Sequence, residues 1–164
     1  MNPNKSESYY NLGNALCVKS DFEQAISNYK RTIDLDPFNS PAFYNLGNAY
    51  YMLNDFDQAI FAYNSAIKLN PESAESHFNL ASAYNDKGDT ENALLHYKTS
   101  LKYDPHNAET LINVGTLLEA KQSHSQACDA FREALRYAPD NIKAKEGMDR
   151  NDTITTSLKS LMQK

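Results

Sequence analysis

Tryptophan is absent from this chain of 164 residues, and glycine (5), proline (6) and cysteine (2) are scarce. So few Gly and Pro disfavour a loop-rich all-β fold or a low-complexity linker. Cys17 and Cys128 are too few for a disulfide framework or a four-ligand zinc site and suit a reducing compartment. No apolar run approaches the roughly 18 residues of a membrane span, and the opening Met1–Glu7 stretch lacks the apolar core of a secretion signal. The expectation is a cytoplasmic protein with no membrane insertion, on which the sequons at Asn4 and Asn151 carry little weight. Positive charge is also short. Lys+Arg number 16 against 21 Asp+Glu, giving a net charge of −5, which speaks against phosphate neutralisation and so against nucleic acid. Chemistry is sparse too: His77, His96, His106 and His124 are scattered without ligand spacing, and no P-loop, dinucleotide fingerprint or nucleophile elbow occurs. No catalytic residue, metal or cofactor is expected.

What is present is periodic. Pro37, Pro71, Pro105 and Pro139 are evenly spaced, and cutting the chain at their period (6–39, 40–73, 74–107, 108–141) brings further columns into register. Ala25, Ala59, Ala93 and Ala127 align, as do Tyr29, Tyr63, Tyr97 and Phe131. Leu12-Gly13, Leu46-Gly47, Leu80-Ala81 and Val114-Gly115 coincide, each preceded three residues upstream by Tyr9, Phe43, His77 or Leu111. This pattern resembles the tetratricopeptide repeat family, whose motif (aromatic-x₂-Leu-Gly-x₂-Tyr, Ala-x₃-Phe, then Pro) recurs with the same period. The resemblance implies an all-α, right-handed α-solenoid of four helix-turn-helix repeats, with residues 1–5 ahead of them and a capping helix and tail over 142–164.

Residue spacing supports the same architecture. Within a block, apolar residues at columns 4, 7, 8 and 11 and then at 17, 20, 21, 24, 27 and 28 recur at intervals of three and four, the signature of two amphipathic helices. In the second block these run about Ser40–Leu53 and Phe56–Leu69, with Ser40 as N-cap before Pro41 and Asn54-Asp55 as the turn. Small residues at Gly47, Ala59 and Ala66 let the two backbones approach. The last repeat needs a cover, which Ile142 to about Met148 supplies by continuing the column pattern. Asn151-Asp152-Thr153 reads as a break or a new N-cap. Beyond it Ile154, Leu158, Leu161 and Met162 are spaced as an apolar face, fitting a second cap, a frayed tail or a helix that seeks a partner.

Helical geometry also yields a surface. At about 100° per residue, columns 2, 5, 6, 9, 12 and 13 fall opposite the apolar stripe of the first helix. In the family resembled, that stripe lines the concave groove. Column 6 is Asn throughout (Asn11, Asn45, Asn79, Asn113), and column 9 reads Asn14, Asn48, Ser82, Thr116. Column 5 reads Tyr10, Tyr44, Phe78, Ile112, while column 12 reads Cys17, Tyr51, Asn85, Glu119. A primary amide donates and accepts, so such a row pairs with the main chain of an extended peptide, and aromatic neighbours add stiff apolar contact. The row resembles the asparagine ladder of the O-linked GlcNAc transferase repeats. The alternatives are that duplication simply copied it, in a chain with 18 Asn, or that each Asn bonds a neighbouring helix.

The groove acids Glu7, Glu75, Glu109, Asp86 and Glu119 outnumber cations, which favours a neutral to basic ligand unless they are only a solvated face. The function expected is a non-enzymatic scaffold for protein–protein interaction that holds an extended peptide segment. The substrate-recruiting segment of a larger enzyme, such as a glycosyltransferase, is the alternative, and self-association through an exposed end face is a third. With Asn, Tyr and Glu where dicarboxylate-clamp repeats carry Lys and Arg, binding of an acidic C-terminal tail is not expected. Because the asparagines point away from the apolar stripe, replacing all four is expected to leave the fold intact.

Overall fold

A computed structural model describes residues 3–162, with side-chain surroundings for residues 5–161. Asn4 and Met162, singled out above, lie outside those side chains. Helix follows helix: α1 (Pro3–Val18), α2 (Phe22–Leu35), α3 (Ser40–Met52), α4 (Phe56–Leu69), α5 (Ala74–Asp86), α6 (Thr90–Tyr103), α7 (Ala108–Ala120), α8 (His124–Tyr137) and α9 (Ile142–Met162), with no strand among the described residues. The chain divides into two compact units, residues 1–93 and 94–164. In the first, α1 pairs with α2, α3 packs on α2 and pairs with α4, and α5 packs on α4. In the second, α7 pairs with α8, and α9 lies on α8.

The helix starts are written in short polar motifs. Asp21 accepts a hydrogen bond from the Gln24 backbone N–H and another from Gln24 Nε2 (2.6 Å), and Asp55 likewise caps through the Gln58 backbone N–H. Each hairpin turn places one residue in the left-handed region: Ser20 (φ 60°), Asn54 (58°), Gly88 (87°) and Gln122 (59°), one per block and in the same column each time. The α3 cap differs from expectation. Asn39 is the N-cap, accepting from Ala42 N–H, while the hydroxyl of Ser40 donates to the Ala66 carbonyl (3.1 Å) and ties the start of α3 to the end of α4. Ser6 does the same in the first repeat, donating to the Thr32 carbonyl.

In the hairpins of the first, second and fourth blocks a ring fills the space a glycine leaves. A Cβ at Gly47 would lie 2.6 Å from Tyr63 Cδ1, and one at Gly13 would lie 2.7 Å from Tyr29 Cε1. Tyr29, Tyr63, Ala25, Ala59, Leu46 and Leu80 are buried. Leu12, in the column of Leu46, is instead 50% exposed, because among the described residues no helix covers α1 as α2 covers α3.

Residues 142–162 depart most from the expected reading. They form one uninterrupted helix, with no break at Asn151. Asn151 is fully buried: its Nδ2 donates to the Gly147 carbonyl (2.7 Å) and its Oδ1 pairs with His124 Nδ1 (2.8 Å). A side chain bonded to the carbonyl four residues back sits within a continuing helix rather than capping a new one. Gly115 of α7 and Gly147 of α9 clamp Phe131 from two sides, each too close to its ring for a Cβ. Beyond Asn151 the apolar face is left partly open, with Ile154, Leu158 and Leu161 exposed.

Candidate functional site

In the first unit the side chains of columns 5, 6, 9 and 24 share one hydrogen-bond pattern, repeated from one block to the next. Tyr29 donates its hydroxyl to Asn14 Oδ1 (2.8 Å), and Asn45 Nδ2 donates both to that same Oδ1 (3.0 Å) and to the Tyr10 hydroxyl (3.1 Å). One repeat on, Tyr63 donates to Asn48 Oδ1 (2.8 Å), while Asn79 Nδ2 donates to Asn48 Oδ1 (2.9 Å) and to the Tyr44 hydroxyl (2.9 Å). Each set draws on both helices of one repeat and the first helix of the next. The phenol rings are tilted against one another, with 6.1 Å between the centroids of Tyr10 and Tyr29 and of Tyr44 and Tyr63. Burial pushes the Tyr29 and Tyr63 phenols well above the usual value, so both remain neutral donors.

This pattern changes what the asparagine row does. Asn45 and Asn79 face the preceding repeat, and their two amide hydrogens are taken up there, so a variant lacking all four asparagines also loses inter-repeat bonds. Asn11 is exposed, and no bond of this pattern reaches it. Of the other expected site residues, Tyr51 donates to Asp86, which also accepts from Asn85 Nδ2 (3.3 Å). Phe78 is half-buried on α5.

In the second unit, Asn113 lines an open hollow of about 500 Å³ with Glu109, Ile112, Ala108, Asn141 and Lys143. Glu119, counted above among the groove acids, is committed to Arg150: both its oxygens are 3.0 Å from guanidinium nitrogens, which hold its carboxyl below the usual range. Nothing in the repeat pattern signals this pair, because Arg150 lies outside the repeat blocks. Of the histidines, His77 is buried with Nε2 3.1 Å from the Pro71 carbonyl, His124 meets Asn151, and His106 packs on the Tyr137 ring. Among the described residues no three His, Cys, Asp or Glu side chains gather as metal ligands, and no helix is long and apolar enough to cross a membrane.

The signal for the shared pattern was in the sequence but split across blocks. Where column 5 is Tyr and columns 9 and 24 are Asn and Tyr, column 6 of the next block is Asn. In the third set Phe78 and Ser82 replace the first two while Tyr97 and Asn113 remain, and in the last set all four differ: Ile112, Thr116, Phe131 and Gly147.

Family profiles described as tetratricopeptide repeat match residues 74–107 and 108–141, and a profile described as TPR repeat matches 13–54 and 47–88. Among solved structures, a crystal structure of MamA protein superposes with a TM-score of 0.85 at 22% identity, over 90% of this chain and 80% of that one. A tetratricopeptide repeat protein from Parabacteroides merdae ATCC 43184 gives 0.84 at 24%, over 98% and 68%. The first TPR of Spaghetti (RPAP3), bound to the HSP90 peptide SRMEEVD, gives 0.71 at 24%, over 74% and 97%. Comparison with curated proteins yields no significant match.

Proposed function

Because the chain belongs to the tetratricopeptide repeat family, we propose that it is a non-enzymatic interaction scaffold whose groove holds an extended, neutral to basic peptide segment of another protein. The observation that carries this reading is the stripe of amides and phenols on α1, α3 and α5: Tyr10, Asn11, Asn14, Tyr44, Asn45, Asn48, Asn79 and, further along, Tyr51, Phe78 and Asn85. Amides fixed in orientation lose little freedom on meeting a peptide main chain, and stiff rings beside them give apolar area at low entropic cost. Asn113 holds the same column in the second unit.

Ligand charge follows from what the stripe carries. Columns 2, 5, 6, 9, 12 and 13 of the four blocks hold no Lys or Arg, whereas Glu7, Glu75 and Glu109 are exposed and Asp86 accepts from two neutral donors, the Tyr51 hydroxyl and Asn85 Nδ2. An acidic tail such as the SRMEEVD peptide of the RPAP3 complex has no cation to meet there. Selection from a phage-displayed library of random dodecapeptides tests the proposal. Enriched sequences should carry Lys, Arg and apolar residues and few Asp or Glu, and synthetic SRMEEVD should not bind. Failure to enrich any sequence, or low-micromolar binding of SRMEEVD, refutes it.

A further inference from the structure

We infer that the two polar networks of the first unit assign opposite roles to the two asparagine columns: Asn14 and Asn48 donate to the ligand through Nδ2, whereas Asn45 and Asn79 hold the repeats together and offer the ligand only an acceptor. The inference rests on the peptide-groove reading and specifies which atom does what.

Hydrogen-bond capacity decides it. A primary amide has two N–H donors and one carbonyl oxygen with two lone pairs. Asn45 and Asn79 direct Nδ2 at two acceptors each, a tyrosine hydroxyl and an asparagine oxygen, so both donors are consumed by the preceding repeat. Asn14 and Asn48 are the mirror case: each Oδ1 accepts from a buried tyrosine hydroxyl and from the next repeat's amide, so both lone pairs are consumed. No side-chain nitrogen or oxygen among the described residues is both buried and unbonded. Asn14 and Asn48 Nδ2 and Asn45 and Asn79 Oδ1, which make none of these bonds, therefore reach solvent. Neither amide is free to flip. Turning the Asn48 amide over would bring its Nδ2 toward the Nδ2 of Asn79, donor against donor.

The groove thus presents the same pair twice, a donor on Asn14 or Asn48 beside an acceptor on Asn45 or Asn79. A peptide unit, with its own C=O and N–H, fits that pair in one sense only. Tyr29 and Tyr63 are positioning residues: they touch no ligand but fix the amide that does. Asn11, exposed on α1, makes none of these bonds among the described residues and takes no part in this division of roles.

Two measurements separate this inference from the reading it rests on. In the ligand-free protein, NMR exchange of side-chain amide protons with water should be slow for Asn45 and Asn79 and fast for Asn14 and Asn48; equal or reversed rates overturn the inference whatever the protein binds. The second uses a dodecapeptide selected from a random library without ionisable side chains, so that introduced charge neither attracts nor repels it. Asn48→Asp keeps two acceptor oxygens for Tyr63 and Asn79 but has no donor, so the thermal midpoint should hold while peptide affinity falls about three- to tenfold, the size of one lost hydrogen bond. Asn79→Asp loses both inter-repeat donations, so its thermal midpoint should fall by several degrees. Unchanged peptide binding by Asn48→Asp, or unfolding of Asn48→Asp comparable to Asn79→Asp, refutes the division of roles. If no peptide is selected while the exchange pattern appears as described, the groove reading fails, the donor role falls with it, and the networks are inter-repeat fastenings alone.

Discussion

Replacing Gly47 by alanine sets two effects of opposite sign against each other. Gly47 lies within α3, where alanine is favoured over glycine by about 1 kcal/mol on helix propensity alone. Against that, the added methyl would stand 2.6 Å from both Cδ1 and Cε1 of Tyr63, about 0.8 Å inside the 3.4 Å at which ordinary carbon contacts begin. The ring cannot easily yield. Tyr63 is 1% exposed, and its hydroxyl is anchored 2.8 Å from Asn48 Oδ1. Overpacking of a filled core costs about 1–3 kcal/mol, so the net loss should be up to about 2 kcal/mol, lowering the thermal midpoint by up to about 8 °C in a chain of this size. Far-UV circular dichroism follows the transition, and tyrosine emission serves as a second probe because no tryptophan is present. Shrinking the ring should relieve the clash, so Gly47→Ala/Tyr63→Leu should cost less than the two single changes summed. A raised midpoint for Gly47→Ala, or strictly additive costs in the double variant, refutes the packing argument.

Three other outcomes follow from features of the fold. Truncation after Asn141 removes α9 and with it the buried Ala144, Gly147 and Asn151, uncovering Phe131; light scattering should then show association, and a shortened chain that stays monomeric and equally stable excludes α9 as a cover. Gln122→Gly should raise stability by about 0.5–1 kcal/mol, since Gln122 holds φ at 59° where the third repeat already uses Gly88; a lower melting midpoint contradicts this. Alkaline titration should show at least Tyr29 and Tyr63 ionising late. Their raised folded-state values stabilise the native chain fully below the unfolded phenol value of about 10, and that contribution is lost as pH rises through it toward the folded values. Tyrosinate absorbance should therefore lag until helical ellipticity falls, and complete ionisation of all 11 tyrosines in the folded chain contradicts the burial argument.

Repeat fold and helix bounds were legible in the sequence because they depend on residues a few positions apart. The even spacing of Pro37, Pro71, Pro105 and Pro139 and the columns between them lead to Phe56–Leu69 as observed for α4, and to α3 within one residue. The helix cap shifted from Ser40 to Asn39 because both are good caps in adjacent positions, and only the reach of the Ser40 hydroxyl to Ala66 distinguishes them. The site was legible as a stripe but not as atoms. Angular position places Asn45 opposite the apolar face, yet whether its amide meets a ligand or the preceding repeat depends on Tyr10 and Asn14, a whole block upstream. The Glu119–Arg150 and His124–Asn151 pairs were out of reach for the same reason: α9 follows no block pattern past Met148, so nothing in the register predicts what its side chains touch.

The fastening between repeats also sets a grammar for copying them. A duplicate of block 40–73 brings Asn45 at its front and Tyr44, Asn48 and Tyr63 at its back, so it can follow itself or block 6–39 with every amide matched. Placed after block 108–141, the same copy would set its asparagine amide against Ile112, Thr116 and Phe131, where Gly147 now stands and both the tyrosine hydroxyl and the asparagine oxygen that accept from it are missing. Lengthening by tandem duplication is therefore open near the front of the array and closed at its end, where α9 and its glycine act as a terminator for growth.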